Sequence, residues 1–480
     1  MPAPDARALL ARAWDALDRW EAGWGPYERP DVLDPAAERL DAALDEWLGR
    51  MTAPPSGPTP GNYPFFHPRY AGQMLKPPHP VALAAYAAAM RVNPNNHALD
   101  GGPPSGQMEK EVVGWLATMF GFPAEALGHL TGGGTVANLE ALWVARELHP
   151  DRGIAYSADA HYTHGRMAGV LKLEATAVPA DAYGRMDLDA LEALLKTGRI
   201  GTVVLTAATT GLGSVDPIAE AIPLARRYGA RVHVDAAYGG FFCLLVGSEE
   251  KTAVGGRPSA VPAGFPAAHF RAIATADSVV VDPHKHGLQP YGCGAVLFRD
   301  PAVGRFYSHD SPYTYFTSDA LHLGEISLEC SRPGAAAAAL WLTLRALPLR
   351  ADEGLGPVLA AGLGAARDLA ARLDASDLYD VYTPPETDIV VYAPRPDAPT
   401  YSALDALAGR VFDAGMADAD DPIFLSLFRL DGARLAARFP ALTPDRPHAR
   451  VLRSVLMKPE HALWVPHLAH RLDALATAAR

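Results

Sequence analysis

Short apolar runs alternating with helix-length segments between about residues 107 and 300 leave this chain few folds to choose from. Residues 128–131, 153–157, 201–207, 231–235 and 277–282 read as strands. Residues 107–119, 136–147 and 188–196 read as helices. Asp216-Pro217 reads as an N-cap and a first helical position, opening a helix that stops at Gly229. Runs that are apolar throughout, rather than at alternate positions, predict a mainly parallel sheet covered by helices on both faces. In such sheets ligands lie beyond the carboxyl ends of the strands. Asp235 and Asp282 each end a run, which draws attention to both.

The flanks read differently. Residues 7–51 have the spacing of amphipathic helix with a break at 23–35, and residues 52–80 form a Pro- and Gly-rich strap carrying Tyr63, Phe65, Phe66 and Tyr70. Residues 332–374 are helical and alanine-rich. Strands near 388–392 and 423–428, with helices near 401–413 and 460–478, predict a smaller α/β unit. The expected division is an N-terminal helical segment and strap (1–95), a large domain (96–345) and a small C-terminal domain (346–480). A net charge of −12 over 480 residues argues against nucleic acid and anionic membranes as partners. The longest apolar stretch, 334–344, falls short of the ~20 residues that span a bilayer. Cys243, Cys293 and Cys330 stand alone, so neither a disulfide framework nor a structural zinc site is expected. The first residues lack a secretory pattern, and a cytoplasmic location is expected.

Three segments carry chemistry. Thr131-Gly-Gly-Gly-Thr-Val-Ala-Asn138 lies between a strand and a helix, where glycines allow close backbone approach and a helix start offers free N–H groups: a phosphate cradle or a tight turn. It satisfies neither the P-loop nor the dinucleotide-binding pattern. His233-Val-Asp-Ala-Ala237 ends a strand on a carboxylate that needs a partner if buried. Asp282-Pro-His-Lys-His286 puts one of only seven lysines at a strand end, where partial desolvation favours a nucleophilic amine. A zinc site at His284 and His286 lacks further ligands at suitable spacing, and no metal is expected. Taken together, a phosphate loop, a carboxylate and a lysine in this order are what pyridoxal 5′-phosphate requires. The lysine takes the aldehyde, the loop the phosphate, and the carboxylate the ring nitrogen.

These segments, with Asn93-Pro-Asn-Asn-His97, Met108-Glu-Lys-Glu-Val112 and Ser157-Ala-Asp-Ala-His161, resemble the group II pyridoxal-phosphate-dependent amino-acid decarboxylases. Residues 137–143 look most like the bacterial tyrosine-decarboxylase-like branch. The resemblance spans roughly residues 62–345. It implies the aspartate-aminotransferase-like fold of type I, with a mainly parallel seven-stranded sheet between helices. It further implies that Lys285 binds the cofactor aldehyde, that Asp235 pairs with the ring nitrogen, and that Ala237 and His161 cover the ring faces. Gly133, Gly134, Thr135, Asp282 and His284 would surround the phosphate, with Thr209 or Thr210 near the ring. Arg332 would stand at the site edge, and Tyr313 or Tyr315 would return a proton to the substrate. A homodimer with its active site at the subunit interface is also implied. The expected reaction is decarboxylation of an L-amino acid, with an aminotransferase or carbon–carbon lyase as the alternative. Phe65 and His97 point to an aromatic, tyrosine-like substrate if the strap enters the site. Glutamate or aspartate is the runner-up, read by Arg69, Arg91 or Arg332.

Overall fold

The apolar runs assemble into one sheet. In this computed structural model residues 5–26, 36–54, 61–246, 261–308 and 323–480 are described. Seven strands, β1 (Leu127–Thr131), β2 (Gly153–Ser157), β3 (Ala175–Val178), β4 (Ile200–Thr206), β5 (Arg231–Asp235), β6 (Ser278–Val281) and β7 (Gly294–Phe298), lie in the order β1-β7-β6-β5-β4-β2-β3. Strand β7 is antiparallel to both its neighbours, and the other pairs are parallel. The first six strands therefore run one way. Val203, Val204, Leu205, Val232, Val234 and Val279 to Val281 are fully buried, because helices cover both faces. Full burial of such a side chain contributes about 1.5–3 kcal/mol, so these runs hold the centre of the sheet. Their register then sets Thr206 opposite Asp235, and Asp235 opposite Val280.

Two strands of this sheet escaped the sequence reading. β3 is a partly exposed edge of Ala-Thr-Ala-Val, too short and too polar to stand out. β7 returns antiparallel soon after Lys285 and lies beyond the last run read as a strand in this region. The N-cap expected at Asp216 is corrected. Asp216 is buried and accepts the amides of Met186 and Thr206 at 2.8 and 2.7 Å, tying two chain segments together, and the helix Ile218–Arg227 starts without a side-chain cap.

A second, antiparallel sheet contains β8 (Tyr379–Val381), β9 (Ile389–Pro394), β10 (Ser426–Asp431) and β11 (His448–Val455), in the order β10-β11-β9-β8. The helices Leu355–Asp374, Tyr401–Ala417 and His461–Ala479 share its core through Leu369, Leu407 and Leu468. Though grouped in sequence with the N-terminal segment, the strap lies against this sheet. Ala71 donates to Phe424 O at 2.8 Å and accepts from Val455 N at 2.7 Å. The helices Ala6–Ala22 and Ala37–Thr52 bury no residue. Arg91 holds the first of them through Asp18 and Glu21, both at 2.6 Å. Among the described residues no helix is long and apolar enough to cross a membrane.

Candidate active site

Because β1, β2, β4, β5 and β6 run the same way, their carboxyl ends meet at one edge of the sheet. A cavity of about 360 Å³ opens there. Its walls come from the loop after β1 (Gly132 to Thr135), His161 after β2, Thr206 and Thr210 around the end of β4, Asp235 and Ala237 at β5, and Asp282, His284 and Lys285 after β6.

The glycine loop leads directly into the helix Gly134–Leu148. Gly133 has φ +146°, a conformation that side chains rarely adopt. A Cβ at Gly134 would lie 2.7 Å from Asp282 Oδ2 and 3.2 Å from the Ala237 side chain, so the loop is cut to let another group approach. Asp282 is buried, its Oδ2 is 2.9 Å from Lys285 Nζ, and its Oδ1 has no hydrogen-bond partner among the described residues. Such an orphaned acceptor is satisfied by a ligand that brings an O–H or N–H. A cavity offering free helix-start amides, an amine and a buried carboxylate fits pyridoxal phosphate.

Electrostatics follow from burial and partners. Burial pushes Asp235 upward, but hydrogen bonds from His164 Nε2 (2.9 Å) and the Ala237 amide (3.1 Å), together with the Lys285 ammonium, hold its carboxyl below the usual range. Burial lowers His161 and His284, against the opposing pull of Asp235 and Asp282 respectively. Both imidazoles are thereby kept in neutral form near pH 7.

The cradle has an internal brace. Asn138 donates to Gly134 O at 2.8 Å, and its Oδ1 lies 3.0 Å from His233 Nε2. The other nitrogen of His233 lies 2.8 Å from Ser278 Oγ. Burial lowers His233 from 6.5 to about 3. Between those values the unfolded chain binds a proton that the folded chain refuses, so stability falls as pH drops through that window. Urea unfolding midpoints should decrease from pH 6.5 towards 3, and His233→Gln should flatten that slope. An unchanged slope would assign the acid sensitivity to other groups.

Several expected residues lie elsewhere. Thr209 caps a turn, its hydroxyl accepting the Ser214 amide at 3.2 Å, and Thr210 lines the cavity instead. Phe65 packs on Tyr70 with centroids 4.9 Å apart, in a cluster that includes Tyr63 and Phe424. Neither Phe65 nor His97 lines the cavity. Arg332, expected at the site edge, does not line the cavity: it is buried, with one guanidinium nitrogen 2.5 Å from Glu109 Oε1 and 2.7 Å from Leu130 O. Arg332→Ala should therefore cost about 3–5 kcal/mol of stability in denaturant unfolding, since it strands a buried carboxylate. A raised KM with unchanged stability would restore it to the substrate. Tyr313 and Tyr315 lie outside the described residues.

The sequence reading missed other groups. Tyr162 lines the cavity beside His161, with ring centroids 4.2 Å apart. Tyr238, also in the wall, donates to Asp388 Oδ1 at 2.5 Å, while His286 Nε2 is 2.8 Å from Asp388 Oδ2. Asp388 thus ties the residue after Lys285 to the second sheet. Arg453 is buried and donates to Thr210 O at 2.6 Å and Gly211 O at 2.9 Å, clamping the loop after β4. Asp388 and Arg453 come from the far end of the chain, and no local pattern announces them. His164, by contrast, stands one helical turn past His161 and could have been noticed.

Parallel strand ends that assemble a glycine cradle, an amine-bearing side chain and a buried carboxylate define the class of fold type I pyridoxal-phosphate enzymes. Residues 66–393 match the pyridoxal-dependent decarboxylase conserved domain. The chain belongs to that family, as its resemblance implied, and is a pyridoxal-phosphate-dependent carboxy-lyase acting on an amino acid. It is 32% identical over 277 residues to a probable L-tyrosine/L-aspartate decarboxylase of Methanopyrus kandleri, covering 57% of this chain and 68% of that protein. It is 31% identical over 406 residues to L-2,4-diaminobutyrate decarboxylase of Rhizobium meliloti, covering 78% and 75%. The crystal structure of Oryza sativa TDC with PLP and tryptamine superposes with a TM-score of 0.74 at 18% identity, over 100% of this chain and 99% of that one.

Proposed function

We propose that this enzyme decarboxylates an aromatic, tyrosine-like L-amino acid. The observation that carries the site assignment is that Lys285 and Asp235, from different strands, line one cavity. In this reading Lys285 Nζ would hold the cofactor through its aldehyde, and Asp282, 2.9 Å from that amine, would take up the proton that the amine gives up. Gly133, Gly134, Thr135 and His284 would surround the phosphate, His161 and Ala237 would cover the ring, and Asp235 would pair with its nitrogen. When bound, pyridoxal phosphate supplies an electron sink for the charge left at the substrate Cα as carbon dioxide departs. The walls orient the carboxylate for departure and exclude water.

Support for an aromatic substrate is partly subtractive. Arg69, Arg91 and Arg332, the arginines considered for a second carboxylate, are each engaged by Asp421, by Asp18 and Glu21, and by Glu109. Tyr162 adds an aromatic surface to the wall. Carbon dioxide release from each of the twenty amino acids and from 2,4-diaminobutyrate tests this directly. Tyrosine or another aromatic should lead; an acidic or diamino substrate in first place would overturn the preference while leaving the decarboxylase intact.

The reading includes a homodimer. Trp14, Trp20, Leu40 and Trp47 on the two N-terminal helices are each about half exposed, an apolar surface of the kind an interface covers. Sedimentation should give twice the monomer mass, and a monomer would remove the second subunit from the site.

A further inference from the structure

His164 sits in the first turn of the helix Thr163–Leu171, fully buried and outside the cavity wall. Its Nε2 lies 2.9 Å from Asp235 Oδ2. A carboxylate offers only acceptors, so Nε2 carries the hydrogen and donates it. The other Asp235 oxygen accepts the Ala237 amide, and the carboxylate is thus held at both oxygens. Packing alone does not call for histidine here. Nδ1 of His164 is buried without a hydrogen-bond partner among the described residues, a cost that an apolar ring of similar shape would avoid. What histidine adds, and a phenylalanine lacks, is the donor to Asp235.

We propose that His164 is a positioning residue that fixes the Asp235 carboxylate as the anion facing the protonated ring nitrogen of pyridoxal phosphate. It thereby sets how strongly this chain prefers that cofactor over the same molecule lacking the nitrogen. The inference rests on the assignment of Asp235 given above.

The test titrates the full cofactor-free chain with pyridoxal 5′-phosphate and with its 1-deaza analogue, following absorbance and protein fluorescence. A hydrogen bond to a charged group translates into about 10- to 100-fold in affinity, so His164→Phe should lose that much for pyridoxal phosphate and less than about 3-fold for the deaza analogue. His164→Gln, whose amide nitrogen reaches the Nε2 position, should stay within about 3-fold of the wild type for both ligands. If His164→Phe fails to fold by circular dichroism, His164→Asn, whose amide ends short of Asp235, takes its place with the same expectation. Equal affinities of wild type and donor-less variant for pyridoxal phosphate, or an equal loss for both ligands, overturn the positioning role and leave the functional reading standing. A wild-type chain that takes up no pyridoxal phosphate overturns both.

Discussion

Lys285→Ala is expected to abolish turnover, leaving only background release of carbon dioxide, and to remove the visible absorbance band of the bound cofactor. The basis is geometric. Of the lysines among the described residues, Lys285 is the one in the cavity wall. Burial pushes Lys76 down to about 8 and Lys458 to about 7, which makes both more nucleophilic amines than an ordinary lysine. Yet Lys76 is spent on Met457 O at 3.2 Å and Lys458 on Tyr70 O at 2.5 Å, and neither lines the cavity. Position outranks basicity here. Lys285→Arg should fail as completely, since a guanidinium keeps the charge but stays protonated and cannot attack a carbonyl. Absorbance spectra and carbon dioxide assays on both variants check this.

Asp235→Asn should weaken cofactor affinity by about 10- to 100-fold through loss of a charged hydrogen-bond partner. It should also lower kcat by about 10²–10³-fold, the usual consequence of removing a preorganised charge from a reacting site. An amide cannot hold the ring nitrogen protonated, so saturating cofactor should restore occupancy but not rate. That split separates an electronic role from a merely structural one. If excess cofactor rescues the rate, Asp235 serves binding alone. Asp235→Ala should behave at least as badly, because it also leaves the His164 donor buried without its acceptor.

The parts legible in the sequence were those in which a local pattern and its chemistry coincide. Continuous valine runs at 203–204 and 279–281 announced strands buried on both faces, and Asp235 and Asp282 could be placed at the sheet edge from their position at the ends of runs. The glycine loop at 132–134 was readable because a strand-to-helix junction with three glycines has few uses. Contacts that depend on tertiary closure were not readable. Arg332 lies close to a motif, yet the fold turns it onto Glu109, more than two hundred residues earlier, because the buried carboxylate needs a cation. Thr209 and Thr210 are adjacent, and only the turn at 209–214 decides which one faces the cavity. Phe65 went to a cluster with Phe424 because the strap packs on the second sheet, a neighbour that no spacing within the strap could indicate. Asp388 and Arg453 reach the site from that same sheet.

The account stands on Lys285 as the amine that carries the cofactor aldehyde, and borohydride reduction followed by peptide mass mapping tests it most directly. Reduction of the chain loaded with pyridoxal phosphate fixes the cofactor to whichever amine holds it. The predicted result is one modified peptide, with the added mass on Lys285. Modification at Lys76 or Lys458 instead, or no modification at a cofactor level that saturates the visible band, would contradict the account.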